Sequence, residues 1–171
     1  MHRFVKILCS SVIALCLMLF SAEEAKAQRF AVSADMLELA LLSPNLTLEF
    51  GLAQHHSVSI SASASPWQYS SETYLNHITW SPEYKYWLTM PFYKSYIGAK
   101  LFYSSYDLGT ARDSFKGNLV ALLADYGYSI ILSKRWNIIP SIGVGAGYNV
   151  SDVNKVVPMI SLGINAQIVL K

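Results

Sequence analysis

The stretch SVSISASAS, residues 57–65, alternates without a break. Val58, Ile60, Ala62 and Ala64 fall on one side, and Ser57, Ser59, Ser61, Ser63 and Ser65 fall on the other. Successive side chains of a β-strand point to opposite faces, so the stretch predicts a strand between two chemically different neighbours. Those neighbours are either a protein core and water, or lipid and a polar barrel interior. The choice between them decides the fold.

The same two-residue period recurs along the chain. It predicts eight strands, over residues 30–37, 45–53, 57–65, 78–88, 96–106, 118–132, 136–148 and 159–170. Leu46, Leu48, Phe50 and Leu52 oppose Asn45, Thr47, Glu49 and Gly51, and Ile97, Ala99, Leu101 and Tyr103 oppose Tyr96, Gly98, Lys100 and Phe102. Ile142, Val144 and Ala146 oppose Ser141, Gly143, Gly145 and Gly147. In the last strand Ile160, Leu162, Ile164, Ala166, Ile168 and Leu170 oppose Ser161, Gly163, Asn165 and Gln167. In DMLELALL, residues 35–42, Leu37 and Leu41 could share a helical face, but the segment reads as a strand end running into a kink before Pro44.

A soluble barrel would bury the aliphatic face and show water a surface of Lys, Glu, Thr and Asp. Here the second face is mainly Ser and Gly, which solubilise poorly but fit the narrow lumen of an eight-stranded barrel. Closing such a barrel also leaves no unpaired backbone group in hydrocarbon. The fold expected is therefore all-β: an eight-stranded antiparallel up-and-down transmembrane β-barrel.

Composition and the N-terminus agree. Residues 7–20 are a hydrophobic run of fourteen behind His2, Arg3 and Lys6, and SAEEAKA follows with the small residues of an A-x-A cleavage site. That is a secretory signal peptide, too short to span a membrane as a helix. Cleavage after Ala27 is expected, leaving one domain over residues 28–171. Both cysteines, Cys9 and Cys16, lie in the removed segment, so the mature domain holds together without disulfides. Lipidation of Cys16 is disfavoured by Leu15, which stands where lipoprotein signals need a small residue. Losing Arg3, Lys6, Lys26, Glu23 and Glu24 takes the formal charge from +2 to +1, and no basic patch suggests nucleic acid. Charged residues are 14%, against roughly 25% in ordinary soluble domains.

Connections after strands two, four and six (QHH, TMPFYK, SKR) read as short, and those at 66–77 and 107–117 as long. Short periplasmic turns and long outer loops characterise outer-membrane barrels. An even strand count then puts both termini in the periplasm. Trp67, Tyr69, Tyr74, Trp80, Tyr106, Phe115 and Tyr148 map to the long-loop end, and Trp87, Phe92, Tyr93 and Trp136 to the short-turn end, as two interfacial belts.

Four stretches, LLSPNLTLEFGL (41–52), SPEYKYWL (81–88), DYGYSIILSKRWNI (125–138) and GVGAGY (143–148), resemble the small outer-membrane β-barrel family of Bacteroidetes described as a domain of unknown function. The matching positions are Pro44, Asn45 and Glu49; Pro82, Glu83, Tyr86 and Trp87; and Gly127, Tyr128 and the run from Leu132 to Trp136. The resemblance covers nearly the whole mature chain and implies an outer-membrane barrel, sometimes encoded near fimbrial genes, with no established activity. Lys85 departs from the family's usual Arg and Pro140 from an acidic residue, and the chain ends in QIVLK rather than an aromatic.

Glu49, Glu83, Lys85, Lys100 and Asp125 are the charged residues expected in the lumen, where buried charges persist when paired. Glu49 or Glu83 is expected to pair with Lys85 or Lys100, as an ion-pair network that stiffens the barrel. His55 and His56 are adjacent, so their side chains diverge, and His77 falls at the opposite end; no metal site and no cofactor is expected. GVGAG lacks a phosphate loop's Gly-Lys-Ser/Thr ending. Ser70, Ser71, Glu72 and His77 cluster in one loop, but neighbours in a loop do not make a nucleophile and base geometry. No catalytic residue is assigned. The expected role is structural or interactive, through the loops at 66–77 and 107–117, with Trp67, Tyr69 and Tyr74 as a recognition surface. Expected partners are outer-membrane lipid and lipopolysaccharide, with a fimbrial or other envelope protein as the candidate protein partner, the chain itself a monomer. The alternatives are a soluble periplasmic barrel binding a hydrophobic ligand, and a lipid A-modifying outer-membrane enzyme.

Overall fold

The computed structural model describes residues 30–68, 74–109, 114–150 and 156–170. The segment read as a signal peptide lies outside the described residues. Eight strands run in chain order: β1 Phe30–Asp35, β2 Asn45–Gly51, β3 His56–Gln68, β4 Tyr74–Trp87, β5 Lys94–Gly109, β6 Ser114–Ile131, β7 Trp136–Asn149 and β8 Val156–Leu170. A short helix, α1 (Met36–Ala40), lies between β1 and β2. Each strand pairs antiparallel with its sequence neighbour, and β8 closes on β1.

The serines of residues 57–65 point inward. Ser57, Ser59, Ser63 and Ser65 are buried, while Ile60 is exposed on the outer surface. β7 repeats the pattern: Trp136, Ile142, Val144 and Tyr148 are exposed, and Asn137 and Ile139 are buried. From Trp136 to Tyr148 the outward positions are Ile138, Pro140, Ile142, Val144 and Ala146, without a polar group among them. Twelve residues of strand cover about 40 Å, or roughly 30 Å of height at the usual tilt, close to the apolar band of a membrane barrel. The barrel is thus apolar outside and polar within, the arrangement that lipid requires and water penalises.

Of the four strand prolines, Pro82 and Pro140 each interrupt a ladder. The β4–β5 pairing skips residues 81 and 82 between Trp80↔Tyr103 and Glu83↔Lys100, and the β6–β7 pairing skips Pro140 between Gly127↔Ser141 and Ile130↔Ile138. In both cases the register resumes unchanged, so the missing N–H costs local bonds without shifting a face.

Three expectations from the sequence need correction. First, the loops at 66–77 and 107–117 contract to residues 69–73 and 110–113, because the strands continue in register to Gln68↔Tyr74 and Gly109↔Ser114. The asymmetry between the two ends therefore lies in strand length: β1 and β2 have six and seven residues, and β3 to β8 have 13 to 18. Second, residues 36–40 are helical rather than a strand end. Asp35 caps the helix by accepting from the N–H groups of Leu37 (2.8 Å) and Glu38 (3.3 Å), and Glu38 places an acidic residue in the first turn. Third, Trp87 and Phe92 do not join an outer belt. Both are buried in the lumen, and Tyr84, Tyr86, Tyr126 and Tyr128 carry the exposed rings at that end together with Trp136, which stands in the belt as expected.

Candidate functional site

The lumen is layered from the end carrying Phe30 and Leu170, here the near end, to the opposite, far end. At the near end Trp87, Phe92, Tyr96, Ile139 and Ala31 form an apolar plug, with Trp87 4.9 Å from Tyr96 and 5.9 Å from Phe92 between ring centroids. Phe92 belongs to the β4–β5 turn, which folds back into the barrel mouth with φ of 68° at Phe92 and 59° at Lys94. Left-handed backbone at bulky residues costs about 1–3 kcal/mol each and persists where the surroundings hold it. Here the Phe92 carbonyl accepts from Ser129 Oγ at 2.9 Å and from Asn137 Nδ2 at 3.2 Å.

The charged layer lies directly above. Lys85 Nζ is 2.8 Å from Glu49 Oε2 and 3.7 Å from Glu83 Oε2, and it sits 4.8 Å from the centroid of the Tyr96 ring. Glu49 also accepts from Ser57 Oγ (2.6 Å) and Gln167 Nε2 (3.3 Å), while Trp87 Nε1 donates to Ser57 Oγ (2.8 Å). Asn137 Nδ2 donates to Gln167 Oε1 at 3.3 Å, tying this layer to the plug. A second pair, Lys100 Nζ to Asp125 Oδ2 at 2.5 Å, lies on β5 and β6. The glycines of the inner face make room for these carboxylates. A Cβ on Gly98 would strike Glu83, and one on Gly143 would strike Asp125.

Toward the far end the lumen widens into a cavity of about 110 Å³. Ser61, Ser63, Thr79, Ser81, Ser141 and Ser161 contribute hydroxyls to its wall, and Asp35 and Glu38 stand at its side. The oxygen Oε1 of Glu83 and the hydroxyl of Ser81 are buried there without a hydrogen-bond partner among the described residues. Glu38, in the connection outside the strands, has its carboxyl pushed above the ordinary value, first by burial and then by Asp35 beside it. Asn45 pins this connection: its Oδ1 accepts from the Asp35 N–H at 2.6 Å, and its Nδ2 donates to the carbonyls of Asp35 (3.0 Å) and Ser43 (3.2 Å).

Of the residues singled out in the sequence, the structure brings Glu49, Glu83 and Lys85 into one cluster and Lys100 with Asp125 into another. Trp67 and Tyr74 lie in the paired backbone of β3 and β4, but their side chains, like Tyr69 altogether, lie outside the described residues. His55 and His56 turn to different partners, the Trp87 carbonyl (2.9 Å) and the Tyr84 hydroxyl (2.5 Å). Among the described residues no group of His, Cys, Asp and Glu could hold a metal. Sequence reasoning missed Ser57, Trp87, Tyr96, Asn137 and Gln167 as members of the network and Asp35 and Glu38 as cavity residues. Strand phase could have found Trp87, which shares the face of Glu83 and Lys85, and the Asp-x-x-Glu pattern of a helix start could have found the other two.

A sealed near end, a buried ion-pair layer and an apolar exterior define a small eight-stranded barrel of the membrane type. The chain belongs to the family described as Protein of unknown function (DUF3575), whose model matches residues 12–162. No curated protein matches it. Among solved structures it is similar to the crystal structure of Neisserial surface protein A, with a TM-score of 0.51 and 15% identity, over 82% of this chain and 94% of that one. At that identity the likeness speaks for the fold.

Proposed function

We propose that the protein is an integral barrel of the bacterial outer membrane, exported by a signal peptide over residues 1–27 and mature from residue 28. It acts there without catalysis, as a structural or surface-interaction protein. The observation that carries this reading is the inverted barrel: aliphatic side chains outside, and serines, carboxylates and lysines within. A soluble carrier of hydrophobic ligands would need the opposite arrangement. The plug of Trp87, Phe92 and Tyr96 argues against free passage of solutes, since a lumen filled by side chains leaves no aqueous channel.

In this reading both termini are periplasmic, and the connections within 66–77 and 107–117 face outward, with Trp67, Tyr69 and Tyr74 as the contact surface. Lipid and lipopolysaccharide surround the barrel, and a fimbrial or other envelope protein is the partner sought. Fractionation should place the protein in outer membranes, with a heat-modifiable band on gels. Protease added to intact cells should cut within 66–77. Extraction in plain buffer would overturn the membrane reading, and cleavage only after permeabilisation would overturn the orientation.

A further inference from the structure

β1 and β2 are too short to complete the barrel wall. The six residues of β1 cover about 20 Å of strand, or roughly 15 Å of height when tilted, against an apolar band about 25 Å tall. β8 meets β1 only over residues 165–170 and continues to Val156; β3 meets β2 only over residues 57–63 and continues to Gln68. Past those registers the Ala64 N–H still reaches the Pro44 carbonyl at 3.1 Å, but β3 and β8 have no strand between them among the described residues. The two edges bound a notch up to about 14 Å wide, three strand spacings.

α1 fills its base. The helix lies against β8 and β1 and turns Met36, Leu37 and Leu39 outward, with Leu41 beyond it also exposed. On the outer face of β8, beside α1, Ile160 is 73% exposed and Leu162 65% exposed. An apolar approach thus leads from lipid to the cavity, whose wall includes both Glu38 and Leu162. The charge inside is unbalanced. Asp35, Glu38, Glu49, Glu83 and Asp125 share the lumen with two lysines: Lys85, 2.8 Å from Glu49 and 3.7 Å from Glu83, and Lys100, 2.5 Å from Asp125. Glu83 Oε1 and Ser81 Oγ, both buried, accept or donate no bond within the cavity. A primary ammonium carries positive charge and three N–H donors with no acceptor, which is what these acceptors lack.

We propose that the notch admits one lipid whose headgroup ends in a primary ammonium. The ammonium sits in the cavity beside Glu38, with Glu83 deeper behind it, and the acyl chains leave between α1 and the β8 edge. This rests on the outer-membrane reading above. The test uses purified protein reconstituted in nanodiscs of equal parts phosphatidylethanolamine, phosphatidylcholine and phosphatidylglycerol, with retained lipid identified by native mass spectrometry. One phosphatidylethanolamine should be retained, enriched about tenfold, as one charge-assisted hydrogen bond supplies. Glu38→Gln and Glu83→Gln should each reduce that enrichment. Retained lipid that mirrors the nanodisc mixture, a preference for the choline or glycerol headgroup, or full enrichment in both variants overturns the proposal. The ethanolamine-over-choline ratio of the unaltered protein decides the matter even where a variant fails to fold. A chain that never inserts overturns the outer-membrane reading as well, whereas an inserted, heat-modifiable barrel with unselected lipid overturns this proposal alone.

Discussion

Ser57 and Ser59 stand two residues apart on the inner face of β3, both buried, with Ser57 in register with Gly51 and Lys85 and Ser59 with Glu49 and Glu83. Ser57 donates to Glu49 and accepts from Trp87, so it belongs to a layer in which nearly every polar atom is engaged. Ser59 Oγ has no partner among the described residues, and Ser81 Oγ and Glu83 Oε1 share that condition. The near half, closed by the aromatic plug, is organised for stability. The far half leaves the hydroxyls of Ser63 and Ser81 and one oxygen of Glu83 without partners among the described residues, a condition that costs stability and suits binding.

The difference can be broken by substitution, scored as denaturant midpoints in detergent micelles. The largest effect is expected from Lys85→Met, which strands Glu49 and Glu83 together in the lumen; losing one partner of a buried pair costs about 3–5 kcal/mol. Phe92→Ala should follow at about 3 kcal/mol, by opening a cavity in the plug. Glu49→Gln should cost more than Glu83→Gln, because Glu49 holds Lys85, Ser57 and Gln167 while one oxygen of Glu83 holds nothing; the reverse order would mean the pairing is wrongly assigned. The sharpest comparison is the smallest. Ser57→Ala should cost about 1–2 kcal/mol for its two bonds, and Ser59→Ala should stay within about 0.5 kcal/mol. Equal losses at the two serines would erase the distinction between an engaged and an unengaged hydroxyl.

Much of this was legible beforehand. Alternation put Glu49, Glu83, Lys85, Lys100 and Asp125 on one face with the serines and glycines, and that face is the lumen. The partners were not legible. Glu49 meets Gln167 across 118 residues of sequence, through a closure of β8 on β1 whose register no local pattern records. Trp87 was misassigned because aromatic residues suit both an interface and a plug; its phase alone separates the two. The far-end loops read too long because strand ends carrying proline, aspartate or glycine, PWQ at 66–68 and DLG at 107–109, look like loop by composition.

The sequence by itself determined that this chain builds strands with one greasy and one small polar face, because a period of two needs no tertiary information. Tertiary structure alone decided which lysine neutralises which carboxylate, that the β4–β5 turn folds back as a plug, and that the wall falls short beside α1. Those outcomes depend on strand register and relative strand length around a closed ring. Both are properties of all eight strands together, so no single stretch of sequence carries them.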